Sequence, residues 1–130
     1  MLSAHRVKQF IYSKNFNVLH LNVRSLADKY DELMLLIREL DVEFSCIVIT
    51  ETWFSEFDFL DQYFIPGFDL FCNSRVGKRG GGVCIYVRQI YEARVEPARL
   101  AGSEALVAEL YFRGSRMFTI LCLYRAPSGE

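Results

Sequence analysis

The stretch "FNVLHLNVRSLADKYDELMLLIRELDVEFSCIVITE" (16–51) decides how this 130-residue chain folds. Its opening "FNVLHLN" (16–22) is rich in Val, Leu and Phe, ends on the polar Asn22, and reads as a strand. Ser25 then opens a helix with Asp28 three residues on, a capping box in which Asp stands for Glu. Leu26, Tyr30, Leu33, Ile37 and Leu40 follow at spacings of four, three, four and three, which is helical periodicity. Asp28, Lys29, Asp31, Glu32 and Glu39 are left for the solvated side. "SCIVITE" (45–51) is a second strand, and its unbroken apolar run implies burial on both faces, as in a parallel pairing. Strand, helix and strand make a βαβ unit with a right-handed crossover. Both carboxyl ends then lie on one sheet edge, so Asn22 and Glu51 share the edge where open α/β sheets bind ligands.

Downstream the pattern changes. Residues 52–66 are a loop rich in aromatics and acids, and "IPGF" (65–68) is a turn. "DLFCNSR" (69–75) and "GVCIYVR" (82–88) read as strands of a hairpin with a longer glycine-containing loop, "VGKRGG". "EALVAELYF" (104–112) and "RMFTILCLY" (116–124) form another hairpin about "RGS". No segment beyond residue 52 reads as helix, and one helix is too little to cover a sheet this apolar on both faces. There is no repeat and no linker. The expected organisation is an N-terminal extension over 1–15 and one domain over 16–130.

A hydrophobic content of 52% supports a real core, and a net charge of −1 gives bulk electrostatics no part in binding nucleic acid. Cys46, Cys72, Cys84 and Cys122 each lie in an apolar run without C-x-x-C spacing. They read as reduced core thiols in a reducing compartment rather than as disulfides or metal ligands. The N-terminus lacks the apolar run of a signal peptide, and no stretch approaches a membrane span.

Glu51 is the first chemical candidate. A carboxylate closing a buried strand is costly unless something pairs with it. It either pairs with an arginine or caps a loop, or it binds a divalent metal such as Mg2+, which takes one or two carboxylates and keeps several waters. Asn22 is either a turn residue or an amide that orients Glu51 or bonds a phosphate oxygen. Tyr124 ends an apolar strand as the other two do, either as a margin tyrosine or as a hydroxyl for a phosphate. "GKRGGG" (77–82) is not a nucleotide loop, because a strand follows it where a P-loop needs a helix. Residues 73–99 nonetheless carry six basic residues, Arg75, Lys78, Arg79, Arg88, Arg94 and Arg99, against Glu92 and Glu96. They form either a basic rim for a phosphodiester, with Arg75, Lys78 and Arg79 nearest the substrate, or a solvated hairpin. Neither His5 nor His20 reads as a general base, and His20 reads as a packed histidine.

Three pieces now stand in order: "LHLNVRSL" with Asn22, "VITETWF" with Glu51 and "LCLYRAPS" with Tyr124. Between them lie "IPGF", Arg75, "GGGVCIYV" and "SEALVAEL". Over residues 16 to 128 this series resembles the amino-terminal half of an endonuclease/exonuclease/phosphatase domain, most closely the apurinic-like endonuclease of non-LTR retrotransposons, which is associated with a reverse transcriptase. The resemblance implies an α/β fold, the amino-terminal half of a DNase I-like sandwich of two sheets, with one βαβ unit followed by antiparallel hairpins. It implies Mg2+ as cofactor, with Mn2+ as a substitute, and DNA as the partner of the complete domain. By position, Glu51 and Asn22 match the metal-site residues, and Glu51, Asn22 and Tyr124 the catalytic set. Arg75 matches an arginine often found before the glycine-rich strand.

The family pattern continues with Gly-Asp-Phe-Asn and Ser-Asp-His strand ends that this chain does not contain. The expectation is therefore a hydrolase site half present, with little or no nuclease activity in these 130 residues alone. Two alternatives stand beside it. One is a non-catalytic interaction fragment that self-associates through an uncovered sheet face. The other is the phosphatase branch of the same superfamily. Family logic places the protein inside the cell, in cytoplasm, nucleus or both, with no membrane partner.

Overall fold

The structure, a computed structural model, describes residues 16–55, 58–74, 80–100 and 102–124. These residues form a sandwich of two sheets with one α-helix outside. The first sheet has strand order β1 (Val18–Asn22), β2 (Cys46–Thr50), β4 (Val83–Arg88), β3 (Phe68–Asn73). The second has the order β5 (Glu92–Leu100), β6 (Ser103–Phe112), β7 (Ser115–Leu123). Only β1 and β2 are parallel, with Val18 opposite Cys46 and Asn22 opposite Thr50. The other pairs are antiparallel.

Helix α1 (Leu26–Leu40) starts as its sequence requires: the Ser25 hydroxyl accepts from the Asp28 N–H at 3.4 Å. It ends at Asp41, whose left-handed φ of 50° lets its N–H reach the Ile37 carbonyl. Leu26, Leu33, Leu36 and Leu40 are buried beneath it. They pack on Leu19, Ile47, Ile49, Cys84 and Tyr86 of the first sheet. The alternate residues Cys46, Val48, Val83, Ile85 and Val87 face the other way and meet Leu106, Ala108, Leu110 and Cys122 of the second sheet. All five residues of β2 are therefore buried, the state its unbroken apolar run implies. The second sheet does on one face what α1 does on the other. Tyr30 of α1 also donates a hydrogen bond to the Phe64 carbonyl, fixing the loop that carries the 3-10 turn Leu60–Tyr63.

The expected hairpin of residues 69–75 and 82–88 is the β3–β4 pair, with β4 beside β2 and β3 at the sheet margin. Two features depart from the sequence reading. First, β5 is a strand that the pattern did not disclose: its Pro97 and alternating charges mark an edge, and Ala93 and Val95 turn inward. Second, His20 is exposed rather than packed. Among the described residues the second sheet overlies β3 and β4 and ends at β7, leaving the inner side of β1 open past that edge. The result is a cleft of about 250 Å3 lined by Val18, His20, Val48 and Thr50 on one side and residues 120–123 on the other. Cys46, Cys84 and Cys122 are buried free thiols, and Cys72 is half-buried. Burial pushes the Cys46 thiol up to about 12 and that of Cys122 to about 11. Cys84 is raised by burial and then by its cross-strand neighbour Cys72. Among the described residues no helix is long and apolar enough to cross a membrane.

Candidate active site

The site is built where β1 and β2 end and β4 begins. β1 delivers Asn22 opposite Thr50, and the Val23 N–H continues the ladder to the Thr50 carbonyl at 3.1 Å. At Glu51 the strand breaks, with φ at +56°. A non-glycine residue in the left-handed region is strained and persists only when its surroundings hold it. Glu51 is held on both sides. Its N–H donates to the Gly82 carbonyl at 2.9 Å, and its carbonyl accepts from the Ser25 N–H at 2.8 Å. Thr52 and Trp53 are gripped in the same way, through Leu26 on one side and Gly81 and Gly82 on the other.

The strain is concentrated. Among the described residues six non-glycine residues have positive φ, and four of them, Arg24, Ser25, Glu51 and Trp53, lie at this edge. The other two, Asp41 and Arg113, serve a helix cap and a hairpin turn. Gly82 is obligatory: at φ +88° a Cβ there would stand 2.5 Å from the Thr52 Oγ1.

The second sheet contributes from across the sandwich. Tyr124 follows β7, and its N–H donates to the Glu104 carbonyl at 3.3 Å. The Glu104 carboxylate accepts from the Gly82 N–H at 2.6 Å. One continuous set of bonds thus runs from Tyr124 through Glu104 and Gly82 to Glu51. Alternation puts Tyr124 on the side of Ile120 and Cys122, and Asn22 on the side of Val18 and His20. These two sides bound the same cleft. At the cleft's far end Phe16 stacks on Phe118 with ring centroids 3.6 Å apart.

Asn22 is exposed and Glu51 half-buried. Together they offer one carboxylate and one amide oxygen, hard donors of the kind Mg2+ takes while keeping most of its waters. Among the described residues no cluster of three or more His, Cys, Asp or Glu could enclose an ion, so any cation here would be held from one side. Arg75, Lys78 and Arg79, the expected substrate-binding residues, lie outside the described residues, as does the extension over 1–15. Of the remaining basic residues in 73–99, Arg88 lies over the Phe68 ring and Arg94 over Tyr111, in structural contacts. Glu104 escaped the sequence reading, although the signal was there. It is an acid at the mouth of an apolar strand, the same pattern that singled out Glu51.

No protein-family model matches the sequence, and no curated protein matches it. Solved structures do. A crystal structure of the AP endonuclease LMAP from Leishmania major superposes with a TM-score of 0.66 over 87% of this chain and 41% of its own, at 20% identity. A 3′ phosphatase, NExo, from Neisseria, bound to a product DNA hairpin, superposes with a TM-score of 0.59 over 82% of this chain and 40% of its own, at 18% identity. The chain therefore has the DNase I-like two-sheet α/β fold and spans about two-fifths of the length of these structures.

Proposed function

We propose that this chain carries part of a divalent-metal-dependent phosphodiester hydrolase site that acts on DNA, of the type found in non-LTR retrotransposon endonucleases. The observation that carries the reading is the strained Glu51 at the ends of the parallel strands, bonded through Gly82 and Glu104 to Tyr124. The match to two DNA-processing enzymes over more than four-fifths of the chain supports it. Glu51 and Asn22 would hold Mg2+, which when bound supplies charge neutralisation at the phosphate. Asn22 orients the Glu51 carboxylate or donates its amide to a phosphate oxygen. The Tyr124 hydroxyl donates to another and fixes the scissile group against the β1 and β7 margins. In this reading Asn22, Glu51 and Tyr124 bind and orient the phosphate.

The test uses the chain itself with Mn2+ and a short DNA duplex. Water-proton relaxation should report a bound Mn2+, and fluorescence anisotropy a duplex affinity that rises with the metal and falls with EDTA. Glu51→Gln should cost about tenfold or more in metal affinity, the loss of one charged ligand contact. Duplex binding indifferent to both metal and Glu51→Gln would sink the reading. The likeness to a 3′ phosphatase favours one second reading. A 3′-phosphorylated oligonucleotide in the same assay separates it, through phosphate release without strand nicking.

A further inference from the structure

Glu104 is only 1% exposed, yet it is a carboxylate lying between two sheets whose shared core is apolar, where a second polar bridge is the Asn73 amide donating to the Ala98 and Ala105 carbonyls. Burying such a group costs several kcal/mol before its bonds are counted. Its ion pair does not account for it. The Arg99 Nη1 stands 3.8 Å away on a side chain that is 49% exposed, and solvent-screened pairs of that kind contribute little. The short contact is to a backbone N–H, that of Gly82 at 2.6 Å, a charge-assisted bond. Gly82 cannot be held by a side chain of its own, because Thr52 occupies the space. Its carbonyl in turn holds the Glu51 N–H. The main-chain carbonyl of Glu104 holds Tyr124.

We propose that Glu104 is a positioning residue: its buried carboxylate, acting through Gly82, locks Glu51 in its left-handed conformation and sets it in register with Tyr124. The inference rests on the reading of Glu51 as a metal ligand, but its mechanical half can be measured without any metal. The Gly82 N–H takes the short bond to this carboxylate, and through Gly82 the carboxylate reaches Glu51. Glutamine keeps one acceptor oxygen and should keep the lock; alanine removes it.

The experiment is amide hydrogen exchange by NMR on the wild-type chain, Glu104→Gln and Glu104→Ala, with a Mn2+ titration of each. Glu104→Ala should speed exchange at Gly82 and Glu51 about tenfold or more, the effect of losing one charge-assisted bond. Ile85 and Leu110 should be unchanged, and Glu104→Gln should restore the protection. Unchanged exchange at Glu51 in Glu104→Ala, or equal behaviour of the two variants, overturns the inference. So does acceleration spread evenly over the second sheet. Should Glu104→Ala not fold, Glu104→Gln still decides. Neutralising the acceptor must move the Gly82 and Glu51 amide proton resonances together, and movement of Gly82 alone counts against the lock. In the titration, Mn2+ affinity should fall in Glu104→Ala and recover in Glu104→Gln. A wild-type chain that binds no Mn2+ overturns the metal reading of Glu51, and the exchange data then judge the lock by themselves.

Discussion

β2 of the first sheet and β7 of the second are both rich in apolar residues, and they end in opposite states. In the first, every residue of β2 is buried. In the second, β7 buries Cys122 and leaves Met117, Leu121 and Leu123 at 43% exposure or more. The difference lies in neighbours rather than in letters. β2 has a strand on either side, α1 on one face and the second sheet on the other. β7 has β6 on one side and, among the described residues, no strand on the other. A pattern of apolar residues states a capacity for burial, and tertiary context decides whether it is used.

The largest test sets one substitution on each sheet against the other. Ile47→Ala in β2 deletes a side chain with no exposure and should cost about 2–5 kcal/mol through lost transfer energy and a cavity. Leu121→Ala in β7 starts from 54% exposure and should stay within about 0.5 kcal/mol. Urea midpoints measure both. Equal costs would mean that β7 is covered in solution by something the described residues do not supply.

Gly82→Ala comes next, at about 1–3 kcal/mol, because it combines a forbidden φ with contact against Thr52. The protein's single tryptophan, Trp53, is bonded to Gly81 beside this point. Its fluorescence should therefore shift in the native state of Gly82→Ala and remain as in wild type in Leu121→Ala.

A gentler effect follows from the thiols between the layers. Cys46 and Cys122 are held neutral by burial, with folded values near 12 and 11 against an ordinary 9.0. A raised folded value means that the unfolded chain gives up its protons first. Their contribution is whole below about pH 9 and is lost as pH climbs from there through 11 and 12. Urea midpoints should therefore fall through that window, and Cys46→Ala, compared with its own stability at neutral pH, should flatten the slope. A slope unchanged by that substitution would assign the loss to other groups.

What the sequence disclosed follows the same division. Helix α1, its Ser25 cap and the double burial of β2 are local consequences of residues 16–51, and they were legible. So were the strand ends that present Asn22, Glu51 and Tyr124, since a polar residue closing an apolar run stands out in one dimension. β5 was hidden because an edge strand with Pro97 and alternating charges carries almost no hydrophobic signal. The place of β4 beside β2 was hidden because pairing across the intervening β3 is a non-local choice. His20 was misjudged for a related reason: a residue's burial on β1 depends on how far the second sheet extends. Glu104 shows the limit most sharply. Its carboxylate matters through Gly82, twenty-two positions away, and no spacing rule joins them.

The smallest effect on stability should carry the largest effect on association. Leu121 and Leu123, with Val18 across the cleft, put apolar surface beside two strand edges, β1 and β7, that are unpaired among the described residues. Unpaired edges next to apolar surface recruit other chains. Leu121→Lys places a charge at that edge while disturbing no buried contact, so the urea midpoint should hold within about 0.5 kcal/mol. Sedimentation should nonetheless show wild-type chains associating as concentration rises and Leu121→Lys remaining monomeric under the same conditions. A wild-type chain that stays monomeric throughout would mean that the bare face of β7 does not attract partners, and that exposure alone fails to separate the two sheets in solution.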